Sequence, residues 1–95
     1  MKIRGFEIVK GYEDKDIHLP VRKTEHSAGY DVEAAEDVVI PPFKLGGKPT
    51  LIPTGLKAYC LDDEFYMLVN RSSGPKKGLV MCNSIGIVDS DYYGN

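Results

Sequence analysis

The chain has 95 residues and a mass of 10.5 kDa, room for one small domain and no more. Its 12 Lys+Arg against 14 Asp+Glu give a net charge of −2, which leaves no electrostatic footprint for a nucleic-acid polymer or an anionic membrane surface. A hydrophobic fraction of 42% and a charged fraction of 27% belong to a globular domain rather than a disordered one, and no apolar run approaches the ~18–20 residues of a membrane span. A domain of this size buries only about 60–65% of its unfolded surface, so a partner subunit would help it. Met1 to Lys10 carries charges inside its apolar stretch and does not read as a signal peptide. Two cysteines, Cys60 and Cys82, do not make a disulfide framework and fit a reducing compartment, the cytoplasm.

Alanine is scarce and glutamine absent, whereas β-branched and aromatic residues abound and Gly (10) and Pro (6) break the chain into short runs. This composition predicts an all-β domain of short strands. In chain order, Ile3, Phe6 and Ile8 predict a strand whose apolar phase slips at Gly5, as at a bulge. Gly11 to Pro20 is polar and predicts a loop. Tyr30, Val32 and Ala34 alternate with Asp31, Glu33 and Ala35, and Asp37-Val38-Val39-Ile40 continues to Pro41-Pro42, so strand is expected across this stretch. Gly46-Gly47-Lys48-Pro49 signals a turn. Leu56, Ala58 and Cys60 alternate with Lys57, Tyr59 and Leu61. After a turn at Asp62-Asp63, Phe65, Met67 and Val69 alternate with Tyr66, Leu68 and Asn70. Arg71 to Gly78 is expected to be loop and Leu79 to Cys82 a short strand. Asn83 to Gly86 predicts a hairpin turn, with Ile87-Val88 starting the return strand. Strand spacing of this kind suits a sandwich or barrel.

Three stretches carry chemistry. Asn70-Arg71-Ser72-Ser73-Gly74-Pro75-Lys76-Lys77-Gly78 gathers a guanidinium fork, hydroxyls and glycine-freed backbone N–H groups, all suited to an anion. It is not a P-loop, since the Gly-x-x-x-x-Gly-Lys-Ser/Thr order is missing, and a solvated polar loop is the plain alternative. Asp89-Ser90-Asp91 places two carboxylates on one face of a strand. There one could act as general base on a water while the other orients a neighbour; a solvated strand end is the plain alternative. Tyr92 offers a flat face for a sugar or base, or for the core. Asp31 follows Ala28-Gly29, where small residues permit close approach, and could equally cap a turn. His18, His26, Cys60 and Cys82 lack the spacing of zinc ligands, and no Gly-x-Ser-x-Gly elbow marks a serine hydrolase.

In combination and order these blocks are specific. Ala28-Gly29-Tyr30-Asp31-Val32, Pro53-Thr54-Gly55, Arg71-Ser72-Ser73 and Gly86-Ile87-Val88-Asp89-Ser90-Asp91-Tyr92 together resemble the homotrimeric deoxyuridine triphosphatases (dUTPases), from Lys2 to Gly94. The resemblance implies a distorted jelly-roll or β-barrel of short strands (the β-clip type) and a trimer with three shared active sites. It implies hydrolysis of dUTP to dUMP and pyrophosphate with Mg²⁺ on the triphosphate. By the same resemblance, Asp31 holds the Mg²⁺ through water and Arg71, Ser72 and Ser73 grip phosphate oxygens. Asn83, Ile87 and Val88 read uracil, Asp89 deprotonates the attacking water, and Tyr92 packs under the deoxyribose, leaving no room for a 2′-hydroxyl.

Asn70 stands where many relatives have Pro, and the loop after Ser73 is unusual. The family's fourth and fifth motifs are expected beyond Asn95, so the chain reads as the N-terminal part of such an enzyme, with the C-terminal part of the fold missing and the segment alone expected to be weak or inactive. Two rivals remain. A dCTP deaminase of the same fold shares the Arg-Ser-Ser block, but usually carries Asp-Pro-Gly where Asp89-Ser90-Asp91-Tyr92 stands here. A non-catalytic module on this scaffold would bind a regulatory partner without turnover.

Overall fold

The computed structural model describes residues 2–94; Met1 and Asn95, and the motifs expected past them, lie outside the described residues. In chain order come β1 (Gly5–Ile8), β2 (Leu56–Tyr59), β3 (Tyr66–Leu68), a single helical turn α1 (Ser73–Lys76) and β4 (Gly86–Val88). β1 and β2 form one antiparallel pair and β3 and β4 another. The all-β expectation therefore holds, with α1 as the one exception among the described residues.

The β1–β2 register runs without interruption from Gly5↔Tyr59 to Ile8↔Leu56. The slip at Gly5 is thus not a bulge: a Cβ there would lie 2.8 Å from the Tyr59 hydroxyl, so glycine is needed to seat that ring. Gly55 answers a second constraint. It takes φ = +71°, its carbonyl accepts the Val9 N–H at 2.8 Å, and a Cβ would crowd Tyr12 and Ile17 at 3.0 Å. Next to it, Leu56 is the buried centre of the apolar packing. Tyr66 joins the two pairs: its hydroxyl donates to the Tyr59 carbonyl at 3.0 Å and its ring lies 5.3 Å from Phe6, which also meets Tyr30 at 6.0 Å. Burial pushes the Tyr66 phenol pKa up, with the neighbouring Cys60 adding to it.

Three expected elements differ. Residues 30–40 form no strand; Asp31 makes an isolated bridge to Val21 at 3.0 Å, and Ala35 N–H reaches the Pro53 carbonyl at 2.8 Å. The alternation there is real, but the adjacent chain supplies single hydrogen bonds rather than a ladder, and a strand needs one. Arg71 to Gly78 contains α1. Pro75 lies in the first turn, where its missing N–H costs nothing, and Gly78 at φ = +81° ends the turn. Leu79 to Cys82 is not a strand, because the Met81 N–H donates to Asn70 Oδ1 at 3.0 Å and β4 returns against β3.

The chain is open in shape. It exposes 7991 Å², where a compact monomer of its mass exposes about 5,400 Å². Its radius of gyration is 14.5 Å against about 12 Å for a compact domain of this length. Leu45, Leu51 and Val39, all in the segment between Asp37 and Ile52, are almost wholly exposed.

Candidate active site

The first cleft, about 360 Å³, lies between two loops far apart in sequence. Gly29 to Val32 forms one wall and Met67 to Ser72 the other. The Asp31–Val21 bridge sets the first wall, and β3 leads straight into the second. Arg71 Nε stands 3.9 Å from Asp31 Oδ1; the Asp31 side chain is 24% exposed and the Arg71 side chain 69%. This guanidinium keeps donors free for an anion while the carboxylate beside it can face a cation. Ser72 lines the same cleft, and Ser73 opens α1 immediately after it.

The second cleft, about 480 Å³, is wider and acidic. Asp62, Asp63, Glu64 and Phe65 face Ile87, Asp89, Ser90 and Asp91. Asp89 follows the last residue of β4, and the turn it begins is closed by Tyr92 N–H donating to the Asp89 carbonyl at 3.1 Å. Tyr92 is half-exposed beyond it. Next to Tyr92, the Tyr93 ring carries Lys57 Nζ at 4.3 Å, a cation–π contact that ties this segment to β2.

Ahead of β4, Ser84 N–H donates to the Met81 carbonyl at 3.0 Å and Ile85 N–H to the Asn83 carbonyl at 2.7 Å. The second bond closes a three-residue turn centred on Ser84 at φ = +66°, the less favoured hand of that turn. The expected hairpin is thus a turn without a strand on its leading side, and Asn83 is exposed on it.

The structure thus brings Asp31, Arg71 and Ser72 together, and separately brings Ile87 and Asp89 together. The two clefts share no residue. Sequence reasoning missed Ser84 and the tertiary role of Asn70. Asn70 couples the Arg71 loop to the segment leading into the Ser84 turn, a contact that no motif announces. Nothing in the sequence marks Ser84 as a left-handed residue. His18 sits 3.1 Å from Glu33, but among the described residues no group of three or more His, Cys, Asp or Glu side chains is placed to hold a metal.

Fold and clefts together describe a β-rich domain with one cleft suited to an anion and a second, acidic one. The dUTPase family model matches residues 15–95. A deoxyuridine 5′-triphosphate nucleotidohydrolase of Lactococcus lactis subsp. lactis (strain IL1403) is 56% identical over 96 residues, covering 100% of this chain and 61% of the relative. The enzyme of the same name from Psychrobacter cryohalolentis is 43% identical over 84 residues, covering 86% of this chain and 53% of its own length. The crystal structure of dUTPase from Streptococcus mutans superposes with a TM-score of 0.81 at 45% identity, over 96% of this chain and 68% of that one. The chain belongs to the dUTPase family, and it spans about 61% of the length of its Lactococcus relative.

Proposed function

We propose that the protein hydrolyses dUTP to dUMP and pyrophosphate. The observation that carries this reading is the pairing of Arg71 with Asp31 at 3.9 Å in one cleft, across 40 positions of sequence, in a chain 56% identical to a dUTP nucleotidohydrolase. Arg71, Ser72 and Ser73 hold phosphate oxygens by charge-assisted and hydroxyl hydrogen bonds. Asp31 is the lone carboxylate of that cleft. Such a donor set fits Mg²⁺ carried by the substrate's own phosphates and touched through water, rather than a resident ion caged by protein. When bound, the cation draws charge off the phosphate oxygens. Asn83, Ile87 and Val88 present backbone groups to uracil, and cytosine is refused because its donor and acceptor order is reversed and would leave polar groups unpaired.

In the chemical step a water oxygen bonds to the α-phosphorus in line with the departing bridge oxygen. Its proton passes to the Asp89 carboxylate, and the α–β bond breaks to release pyrophosphate. The Tyr92 ring lies under the deoxyribose and excludes a 2′-hydroxyl by contact.

Asp89 and Arg71 lie in separate clefts, which supports a site completed by a second copy of the chain, and a homotrimer with three shared sites is the arrangement we infer. Two unpaired thiols, Cys60 and Cys82, fit a cytoplasmic setting.

Complementation tests the reading. Full-length Asp31→Asn and Asp89→Asn proteins are each expected to lose turnover of dUTP. Mixed after dissociation and reassembled 1:1, they should regain roughly a quarter of the wild-type sites, because one copy supplies the phosphate cleft and its neighbour the base. No regain would mean that both residues serve a site within one copy. Ammonia release from dCTP by the wild-type protein would turn the reading to a deaminase, and binding without turnover to a regulatory module.

A further inference from the structure

The turn Leu61–Glu64 stands across the acidic cleft from Asp89 and Ser90, and a residue outside both clefts fixes it. Arg4 Nε lies 3.2 Å from each Glu64 carboxylate oxygen and Arg4 Nη2 lies 2.6 Å from Oε2. Glu64 also closes its own turn: Oε1 accepts the Leu61 N–H at 3.0 Å, and the Glu64 N–H donates to the Leu61 carbonyl at 2.9 Å. The fork therefore ties the turn to the residue preceding β1.

The register carries this restraint to Asp89. Tyr66 pairs with Val88, so one step outward sets Phe65 opposite Asp89, and the next sets Glu64 opposite Ser90. The Ser90 hydroxyl lies 3.5 Å from the Asp62 carbonyl inside the braced turn. No ladder pair holds Asp89 among the described residues, because β4 ends at Val88. Its own backbone is held by the turn that the Tyr92 N–H closes, and across the cleft it meets the braced turn.

We propose that Arg4 and Glu64 are positioning residues for Asp89, bracing the Leu61–Glu64 turn so that the carboxylate projects from the end of β4 in one fixed direction. The inference rests on Asp89 being the general base. Misplacing a reacting group by about 1 Å can cost up to 10²-fold in rate, whereas substrate held by the other cleft would bind as before.

The test uses the full-length protein, with rates expressed per folded site counted by binding of a non-hydrolysable dUTP analogue. Arg4→Ala and Glu64→Gln should each lower kcat about tenfold with KM within about twofold, and the exchanged pair Arg4→Glu/Glu64→Arg should recover part of the loss, because the ion pair returns while the Leu61 N–H loses its acceptor. If Arg4→Ala does not fold, Arg4→Lys keeps the charge without the planar fork and should show the same fall in kcat alone. Wild-type kcat per folded site in the folded Arg4 variant overturns the inference, as does a fall in kcat matched by an equal rise in KM. Asp89→Asn run alongside separates the two claims. If it is inactive while the Arg4 variants turn over normally, only the brace is wrong; if it turns over normally, the assignment of Asp89 is wrong as well.

Discussion

The two clefts are built on opposite electrostatic plans. Around Asp31 and Arg71 one charge of each sign faces the same space. Around Asp89 five carboxylates gather, from Asp62, Asp63, Glu64, Asp89 and Asp91, and among the described residues only Glu64 of these has an ion-pair partner. A triphosphate would be drawn to the first cleft and repelled from the second. A base, conversely, is of use only where water and a phosphorus atom meet it. On the proposed reading neither cleft suffices: the first would hold the phosphates without a base, and the second offers a base but repels them.

The sharpest way to break the comparison is to remove one function from each side. Asp89→Asn in the full-length protein should lower dUTP turnover by ~10²-fold or more, the scale of a lost general base, while analogue binding largely survives. Arg71→Ala should instead weaken binding and turnover together, since on the proposed reading the guanidinium would grip the substrate before and during the step. Steady-state kinetics beside analogue titration read both, and identical profiles for the two variants would erase the division of labour.

A smaller effect is expected at Tyr92, which follows the Asp89 turn and on the proposed reading packs against the sugar rather than the reacting phosphorus. Tyr92→Ala should narrow the preference for dUTP over UTP by about tenfold, because a methyl group leaves room where a ring did not. The ratio of kcat/KM for the two nucleotides measures it, and an unchanged ratio would remove Tyr92 from sugar selection.

Sequence carried the fold class and two of its strands, and misplaced others. Period-two alternation located β2 and β3, since Leu56 and Tyr66 have true ladder partners. The same alternation misled from Tyr30 to Ile40, because periodicity reports which faces differ and not whether another strand lies alongside. Gly5 misled for a related reason: a missing side chain can mark a kink or a seat for a ring, and only the Tyr59 hydroxyl overhead tells them apart. Motif order set Asp31, Arg71-Ser72-Ser73 and Asp89 in three separate blocks along the chain. It could not indicate that the first two would line one cleft and the third another, which is a property of tertiary packing. Arg4 and Glu64 were invisible because 60 positions separate them and neither belongs to a motif.

The least expected effect, and the most diagnostic of the acidic cleft, concerns the one carboxylate there with a cation partner. The hydrogen-bonded Arg4 fork holds the Glu64 carboxyl below the usual carboxylate range, with the Leu61 N–H adding to it. The unfolded chain therefore takes up this proton at higher pH than the folded one, and stability rises with pH across the interval between them. The brace contributes fully above the ordinary carboxyl range, and its contribution fades as pH falls through the lowered folded value. The gap in Tm between wild type and Arg4→Ala should accordingly stay level from about pH 8 to about pH 6 and close progressively below about pH 4. Because the pair is exposed, added salt at neutral pH should shrink the gap as well. A gap that persists undiminished to about pH 3 would assign the stabilisation to packing of the arginine stem, leaving Glu64 as uncompensated as its four acidic neighbours and the brace without its electrostatic part.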